Sequence, residues 1–376
     1  MTNAGGVAEI SRWCEPPVCC EHESEPRQGA AEIGRRHSIA PARGSMNFGS
    51  IVRWFAPPAN FQCPFGTNGK LLLFLSRHRR GQVRIPDILR CNYQARDSAM
   101  ASIEEKRREF RQLHESGCFA IPNPWDIGTA RYLQHLGFKA IATTSAGFAF
   151  SRGLSDGAVT RDEMLAHIKE LVDATDIPVN ADFENGYADD PNDVAESVKL
   201  CVTTGVAGLS IEDATDRKES RLYDINLAVE RIKAAREAIG ESGVLLVGRA
   251  EGFLVGHENI DQVIRRLVAY SDAGADCLYA PGFKEREQIK AIIAAVAPKP
   301  SNILIGGAIG LTMKEAALLG ARRVSVGGAF ARAAWGGFIR SARELIEKGT
   351  FDELANAASY AELQELFRGP AVPRSN

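Results

Sequence analysis

The sequence predicts an α/β fold of the (β/α)8 barrel class, and three observations carry that expectation. Apolar strand-like runs recur eight times from residue 118 onward, amphipathic stretches separate them, and glycine stands just before several of the runs. The runs are "CFAIPN" from 118, "KAIATTS" from 139, "PVNADFE" from 178, "GLSIEDA" from 208, "VLLVGRAE" from 244, "CLYAPG" from 277, "NILIGG" from 302 and "RRVSVGG" from 322. Strands buried on both faces read as near-continuous apolar runs, which fits a parallel sheet covered by helices. Eight repeats favour a closed barrel over an open doubly wound sheet.

The intervening helices announce their ends. Thr160-x-x-Glu163 and Thr312-x-x-Glu315 are capping boxes, and Asp190 followed by Pro191 reads as an N-cap with a first-turn proline. Val194, Val198 and Cys201 fall at i, i+4 and i+7, one face of a helix. "LGFKAI", "TGVAGL", "AGADCL" and "LGARRV" place glycine where a left-handed C-terminal turn is required. A further helix is expected over 351–367, "FDELANAASYAELQELF", and it has no place in a minimal barrel.

The barrel and its extra helix are assigned to 103–367, with a tail at 368–376. Residues 1–98 show neither helical nor alternating periodicity, so a disordered leader or an extension without a fold is expected there, with Met100 a natural start. Acidic residues at Glu9, Glu15, Glu21, Glu23 and Glu25 argue against a transit peptide. With 45% hydrophobic and 24% charged residues and a formal charge of −2, the chain has a globular composition and no basic field for nucleic acid. The longest uninterrupted candidate for a membrane span, "LLLFL" at 71–75, falls far short of the roughly 18 residues required. Eight cysteines occur without the paired spacing of a zinc site, so a reduced cytoplasmic chain is expected, with a mitochondrial one the lesser alternative.

Reacting groups in such barrels stand at the C-terminal ends of strands. The second run ends in Thr143, Thr144 and Ser145, the third in Asp182 and Glu184, the fourth in Glu212 and Asp213, and the fifth in Arg249 and Glu251. Strand alternation puts Asn180, Asp182 and Glu184 on one face. Clustered carboxylates repel unless a cation neutralises them, and oxygen ligands without Cys or His suit Mg2+ or Mn2+. The alternative is a hydrated rim in which Arg249 serves as ion-pair partner. The Arg249 fork also suits a substrate carboxylate. Glycines at 306, 307, 327 and 328 raise a rival reading, a phosphate-binding biosynthetic barrel. His257 reads as a helix cap or surface residue and His167 lies within a helix; neither has a triad partner.

Taken in order, "TTSAGFAFSRGLSD", "PVNADFENGYADDP", "GLSIED" and "LLVGRAE" resemble the isocitrate lyase and phosphoenolpyruvate mutase superfamily over residues 103–367, nearest its methylisocitrate-lyase-like or phosphonomutase-like branch. The resemblance implies a Mg2+-dependent barrel whose last helix is exchanged between subunits in a homodimer or homotetramer, which would give the spare helix a partner. It implies that backbone amides at Ser145, Ala146 and Gly147 hold a substrate carboxylate and that Asp156 and Asp182 serve the metal, Asp182 directly. Glu212 would reach the metal through water and Arg249 would bind a carboxylate, with Asn180, Glu184, Asp213 and Glu251 in support.

Three departures qualify the resemblance. Asn180 replaces the first aspartate of the Asp-x-Asp pair, and Pro281 replaces a glutamate or histidine at the end of the sixth strand. The loop after the fourth strand, "ATDRKESRLYD", lacks the cysteine that serves the lyases as proton donor and offers Arg217 and Lys218 instead. The expected activity is therefore Mg2+-dependent C–C bond cleavage of a small 2-oxo or 2-hydroxy carboxylate through an enolate, of the oxaloacetate decarboxylase or 2-methylisocitrate lyase kind. Phosphorus–carbon mutase or hydrolase chemistry is the alternative, and a non-catalytic ligand-binding barrel a third class.

Overall fold

The computed structural model describes residues 101–368 apart from 216, 218, 219 and 258. The expectations for residues 1–98, for the tail beyond 368 and for Lys218 lie outside the described residues. Eight strands form on the eight runs: β1 (Phe119–Ile121), β2 (Ile141–Ala142), β3 (Val179–Asp182), β4 (Gly208–Glu212), β5 (Leu245–Arg249), β6 (Cys277–Tyr279), β7 (Ser301–Leu304) and β8 (Arg323–Ser325). All neighbouring pairs are parallel, in the order β1-β8-β7-β6-β5-β4-β3-β2. The two ends of that order meet where the Ala142 amide donates to the Pro122 carbonyl at 3.0 Å, so the sheet is a nearly closed barrel.

One helix precedes the barrel. It is α1 (Ile103–Leu113), which Ser102 and Glu105 start with a reciprocal capping box. Its Phe110 packs with Ala140, Ala207 and Leu245 at the N-terminal ends of β2, β4 and β5. A Cβ on Gly208 would lie 2.6 Å from the Phe110 ring, so only glycine lets that ring seat. The barrel is then wrapped by α2 (Ile127–His135), the short α3 (Ser145–Ser151), α4 (Arg161–Ala174), α5 (Pro191–Thr203), α6 (Ile225–Ile239), α7 (Ile260–Asp272), α8 (Arg286–Val296) and α9 (Met313–Leu318). Both capping boxes form, and Asp190 accepts from the Asn192 amide ahead of Pro191. Gly137, Gly205, Gly274 and Gly320 take φ of 89°, 92°, 104° and 95°, the left-handed turns their positions required.

After the eighth unit come α10 (Ala329–Lys348), a 3-10 turn over Asp352–Asn356 and α11 (Tyr360–Phe367). The single helix expected over 351–367 is thus broken. Ala357 is extended, and Ser359 caps a new helix by accepting from the Glu362 amide. Ile346, Tyr360, Phe338 and Phe351 of this region are 84%, 80%, 63% and 62% exposed. Among the described residues no helix is long and apolar enough to cross a membrane.

Two histidines are buried by this packing. His114 holds its Nδ1 2.8 Å from the Phe110 carbonyl, and His167 stacks on Phe148 with centroids 3.8 Å apart. Neither Nε2 has a hydrogen-bond partner among the described residues. Burial lowers the two pKa values from the usual 6.5 to about 3 and about 4. Because the folded values are depressed, the unfolded chain takes up protons first. Stability is complete above pH 6.5 and falls as pH drops toward the folded values, by about 2 kcal/mol per histidine at pH 5. His167→Phe, which keeps the stack, is expected to flatten the loss between pH 7 and 5 by about that amount in denaturant melts. Parallel stability curves for variant and wild type would show that the ring takes up its proton in the folded state.

Candidate active site

The register of β3, β4 and β5 brings the polar strand ends together. Asp182 stands opposite Ser210, and Glu212 opposite Arg249. Inward alternation then lets Arg249 span all three strands. Its Nη1 lies 3.0 Å from Asp182 Oδ1 and 3.1 Å from Glu212 Oε2, and its Nε 2.5 Å from Glu251 Oε1. The guanidinium carbon also sits 5.1 Å from the centre of the Tyr279 ring. Arg249 thus pairs with acids from three strand ends at once.

Burial opposes the Arg249 charge, but Glu212, Glu251, Tyr279 and Asp182 outweigh it and hold the pKa well above the usual value. Burial raises the Glu212 carboxyl well above the carboxylate range. Glu251, Asp182 and Glu184 add to that rise while Arg249 opposes it. Glu251 is raised by burial in the same way. Three acids share one guanidinium, so full ionisation would leave two negative charges in excess.

A cavity of about 140 Å³ opens beside this network. Ser145, Ala146, Asp156, Asp182 and Arg249 line it together with the deeper Asn180, Ser210, Asn302 and Arg323. Asp182 Oδ2 accepts from both the amide and the hydroxyl of Ser145 at 3.0 Å, while the Asp182 amide donates to Thr143 Oγ1 at 2.8 Å. The Gly147 amide donates to Thr144 Oγ1 at 3.2 Å, and Gly147 lies outside the lining. Two of the three amides expected to face a carboxylate thus already have protein partners. Asp156 stands at the exposed rim; partial burial of its carboxyl and the Asp182 charge raise its pKa against the pull of Arg249.

Other expected residues are placed elsewhere. Glu184 follows β3 with φ 47°, so the two-residue alternation stops at Asp182 and Glu184 does not line the cavity; its carboxylate accepts from Tyr187 at 3.0 Å. Arg217 pairs with Asp189 at the surface, its side chain 55% exposed, and also lies outside the lining. The glycine turn after β8 is filled by protein: the Val326 and Gly327 amides donate to Asn123 Oδ1 at 2.9 and 2.8 Å.

Sequence reasoning missed Arg323, Asn302, Tyr279 and Asn123. The available signal was alternation: Arg323 and Ser325 share a face, and Asn302 is the register partner of Arg323. It also missed Arg231, 1% exposed and stacked 3.9 Å from the centre of the Tyr223 ring, which donates to the carbonyls of Asn185, Ala188 and Asp189 and so ties down the loop after β3.

Among the described residues no three acidic, histidine or cysteine side chains converge as a ready centre. Mg2+ does not need one, since it keeps several waters and takes one or two carboxylates. Asp182 and Asp156 line the cavity, and Glu212 pairs with the same guanidinium as Asp182 just outside the lining, which is an all-oxygen set of that kind. The residues present fit Mg2+.

Asp213 has a different task. It is 2% exposed and accepts from Arg266 Nη1 at 3.0 Å, the Tyr270 hydroxyl at 2.6 Å and the Glu251 amide at 2.8 Å. It fixes the end of β5 to α7. Asp213→Ala strands the Arg266 charge and two further donors, so a loss of about 3–5 kcal/mol is expected in denaturant unfolding. A loss below about 1 kcal/mol, the range of an exposed pair, would show that solvent replaces the carboxylate.

Similarity to known proteins agrees with this geometry. The family model described as phosphoenolpyruvate phosphomutase matches residues 110–346. A crystal structure of a candidate lyase/mutase from Burkholderia cenocepacia J2315 superposes with a TM-score of 0.69 at 47% identity, covering 71% of this chain and 98% of that one. The chain is 31% identical to the 2-methylisocitrate lyase of Escherichia coli strain K12, over 46% of its own length and 62% of the lyase. It is 28% identical to an oxaloacetate decarboxylase of Bradyrhizobium diazoefficiens, over 56% of its own length and 73% of the decarboxylase. The chain is an enzyme of the phosphoenolpyruvate phosphomutase family, within the isocitrate lyase/phosphoenolpyruvate mutase superfamily.

Proposed function

We propose that the protein is a Mg2+-dependent carbon–carbon lyase of a small 2-oxo acid, and that decarboxylation of oxaloacetate is the reaction its site serves best. The cavity carries this reading. At about 140 Å³ it is well below the roughly 300–1,000 Å³ of sites for drug-sized ligands. Its lining holds two carboxylates, two arginines, amides and hydroxyls but, among the described residues, neither histidine nor cysteine. Cleavage of a larger hydroxy acid needs a proton source tuned to neutral pH. Decarboxylation needs less: CO2 departs without a proton, and the carbon left behind takes one from solvent.

The residues divide the work. Ser145 holds Asp182 through two hydrogen bonds. Arg249, kept charged by its acids, stabilises negative charge as it develops on the oxo oxygen. Mg2+, held by Asp182 with Glu212 and Asp156 as outer partners, would supply Lewis-acid polarisation of the oxo group. Similarity supports decarboxylase and methylisocitrate lyase about equally. The lining supports the former.

In the presence of Mg2+, oxaloacetate is expected to yield pyruvate, with isocitrate and 2-methylisocitrate cleaved at least ~100-fold less efficiently. Chelation and Asp182→Ala should each abolish turnover, whereas Arg217→Ala should barely change it. Efficient lyase turnover, or conversion of phosphonopyruvate seen by phosphorus NMR without decarboxylation, would overturn the assignment.

A homodimer or homotetramer built through the C-terminal segment belongs to the same proposal. Single exposed apolar side chains are ordinary, but here Phe338, Ile346, Phe351 and Tyr360 are concentrated in α10 and the residues after it. Ile346→Glu combined with Phe351→Glu is expected to lower the mass measured by light scattering. An unchanged oligomer would place the interface elsewhere.

A further inference from the structure

Among the buried charges that the mechanism above does not use, Arg323 is the one that faces the cavity. Arg323 opens β8, is 3% exposed and lines the same cavity as Arg249. Its partners are two neutral amides: Nε donates to Asn302 Oδ1 at 2.9 Å and Nη1 to Asn180 Oδ1 at 3.2 Å. No carboxylate pairs with it, and Nη2 has no partner, among the described residues. The titratable groups that sense its charge include His114 and Cys277, and burial keeps both uncharged near neutral pH. Burying a guanidinium among neutral partners carries a desolvation cost that an anion offsets. Arg231 meets that cost with three backbone carbonyls away from the cavity, whereas Arg323 has two amide oxygens and lines it.

The two amides are set for this task. Asn180 Nδ2 donates to the Ala181 carbonyl at 3.0 Å, and a carbonyl can only accept, so Oδ1 must be the atom turned toward Arg323. Asn302 bonds Ser325 Oγ through Nδ2 at 3.0 Å and offers its own Oδ1 to the guanidinium. Both side chains therefore orient the fork without neutralising it. Arg249 is the reverse case, with three acidic partners in contact.

We propose that Arg323, oriented by Asn180 and Asn302, binds the non-reacting carboxylate of the substrate at the deep end of the cavity. The inference rests on the small oxo-acid reading given above. An ion pair to the departing carboxylate would stabilise the ground state and slow the loss of CO2, so the group bound here is the one that stays. Arg249 is thereby released from carboxylate binding and left to the oxo oxygen.

The test is a charge cycle measured without metal or turnover. Pyruvate and its neutral isostere pyruvamide are titrated by ligand-observed NMR into the full-length wild type, Arg323→Gln, Arg323→Lys and Asn302→Asp. The wild type is expected to prefer the anion by at least ~10-fold, the range of a charged hydrogen bond. Asn302→Asp gives Arg323 an internal counterion with the same acceptor in place, so its melting temperature should hold while the preference collapses. Arg323→Gln should lose the preference too, and Arg323→Lys should keep part of it. A preference that survives in Asn302→Asp, or none in the wild type, overturns the proposal; should Arg323→Gln fail to fold, Asn302→Asp alone decides. Oxaloacetate turnover with an unmoved preference would sink this assignment only. A collapsed preference in a protein that turns over no oxo acid would sink the reaction and leave the binding role standing.

Discussion

Everything at the mouth of the barrel depends on Arg249 being shared by Asp182, Glu212 and Glu251. Parallel register puts the acids at the ends of β3, β4 and β5, where their mutual repulsion would splay the strands. One planar cation with several donors joins all three, which a lysine point charge would not do with the same geometry. The network does not end there. The Glu251 amide donates to Asp213, which holds Arg266 and Tyr270 of α7, so the reacting end of the site is braced by a helix on the outside of the barrel.

That sharing also sets the electrostatics. Burial and neighbouring acids push the Glu212 and Glu251 carboxyls up, while the same acids hold Arg249 charged. A proton on one carboxyl or a divalent cation beside Asp182 would relieve the same imbalance, and the cation would add Lewis-acid polarisation of a ligand. This makes a hard metal the chemically useful solution for an oxygen-only donor set.

The barrel was legible in the sequence because its signals are local. Capping boxes at Thr160 and Thr312, glycines such as Gly205 and Gly274, and the apolar runs each act within a few residues, and each appears where expected. Asp182, Glu212 and Arg249 were legible for a related reason, since strand ends of one barrel must converge. What failed was non-local or conformational. Glu184 needed a positive φ that no spacing reveals, and the break at Ala357 turns on one residue's backbone in a helix-favouring stretch. Arg217 sits in a loop whose course is set by its pairing with Asp189 from another segment. Arg323 stands at the start of its run beside Arg322, which donates to the Gly117 carbonyl, whereas reacting groups are sought at the other end of a barrel strand. Alternation requires that the two arginines face opposite ways.

The two cavity arginines are therefore complementary in what they lack. Around Arg249 the acids exceed the cation, and around Arg323 the cation has no acid at all. The cavity accordingly carries surplus negative charge at its mouth and surplus positive charge at depth. A carboxylate crossing that mouth meets repulsion from Asp182 and Asp156 until the deeper guanidinium captures it. A divalent cation, by contrast, would be favoured at the mouth and disfavoured at depth. A short acid is thus seated with one carboxylate inward and its remaining oxygens toward the acids. With about 140 Å³ available, little else can vary in how such a ligand sits. Orientation follows from separating the two charge imbalances on opposite ends of one small space, and it is achieved before any bond changes.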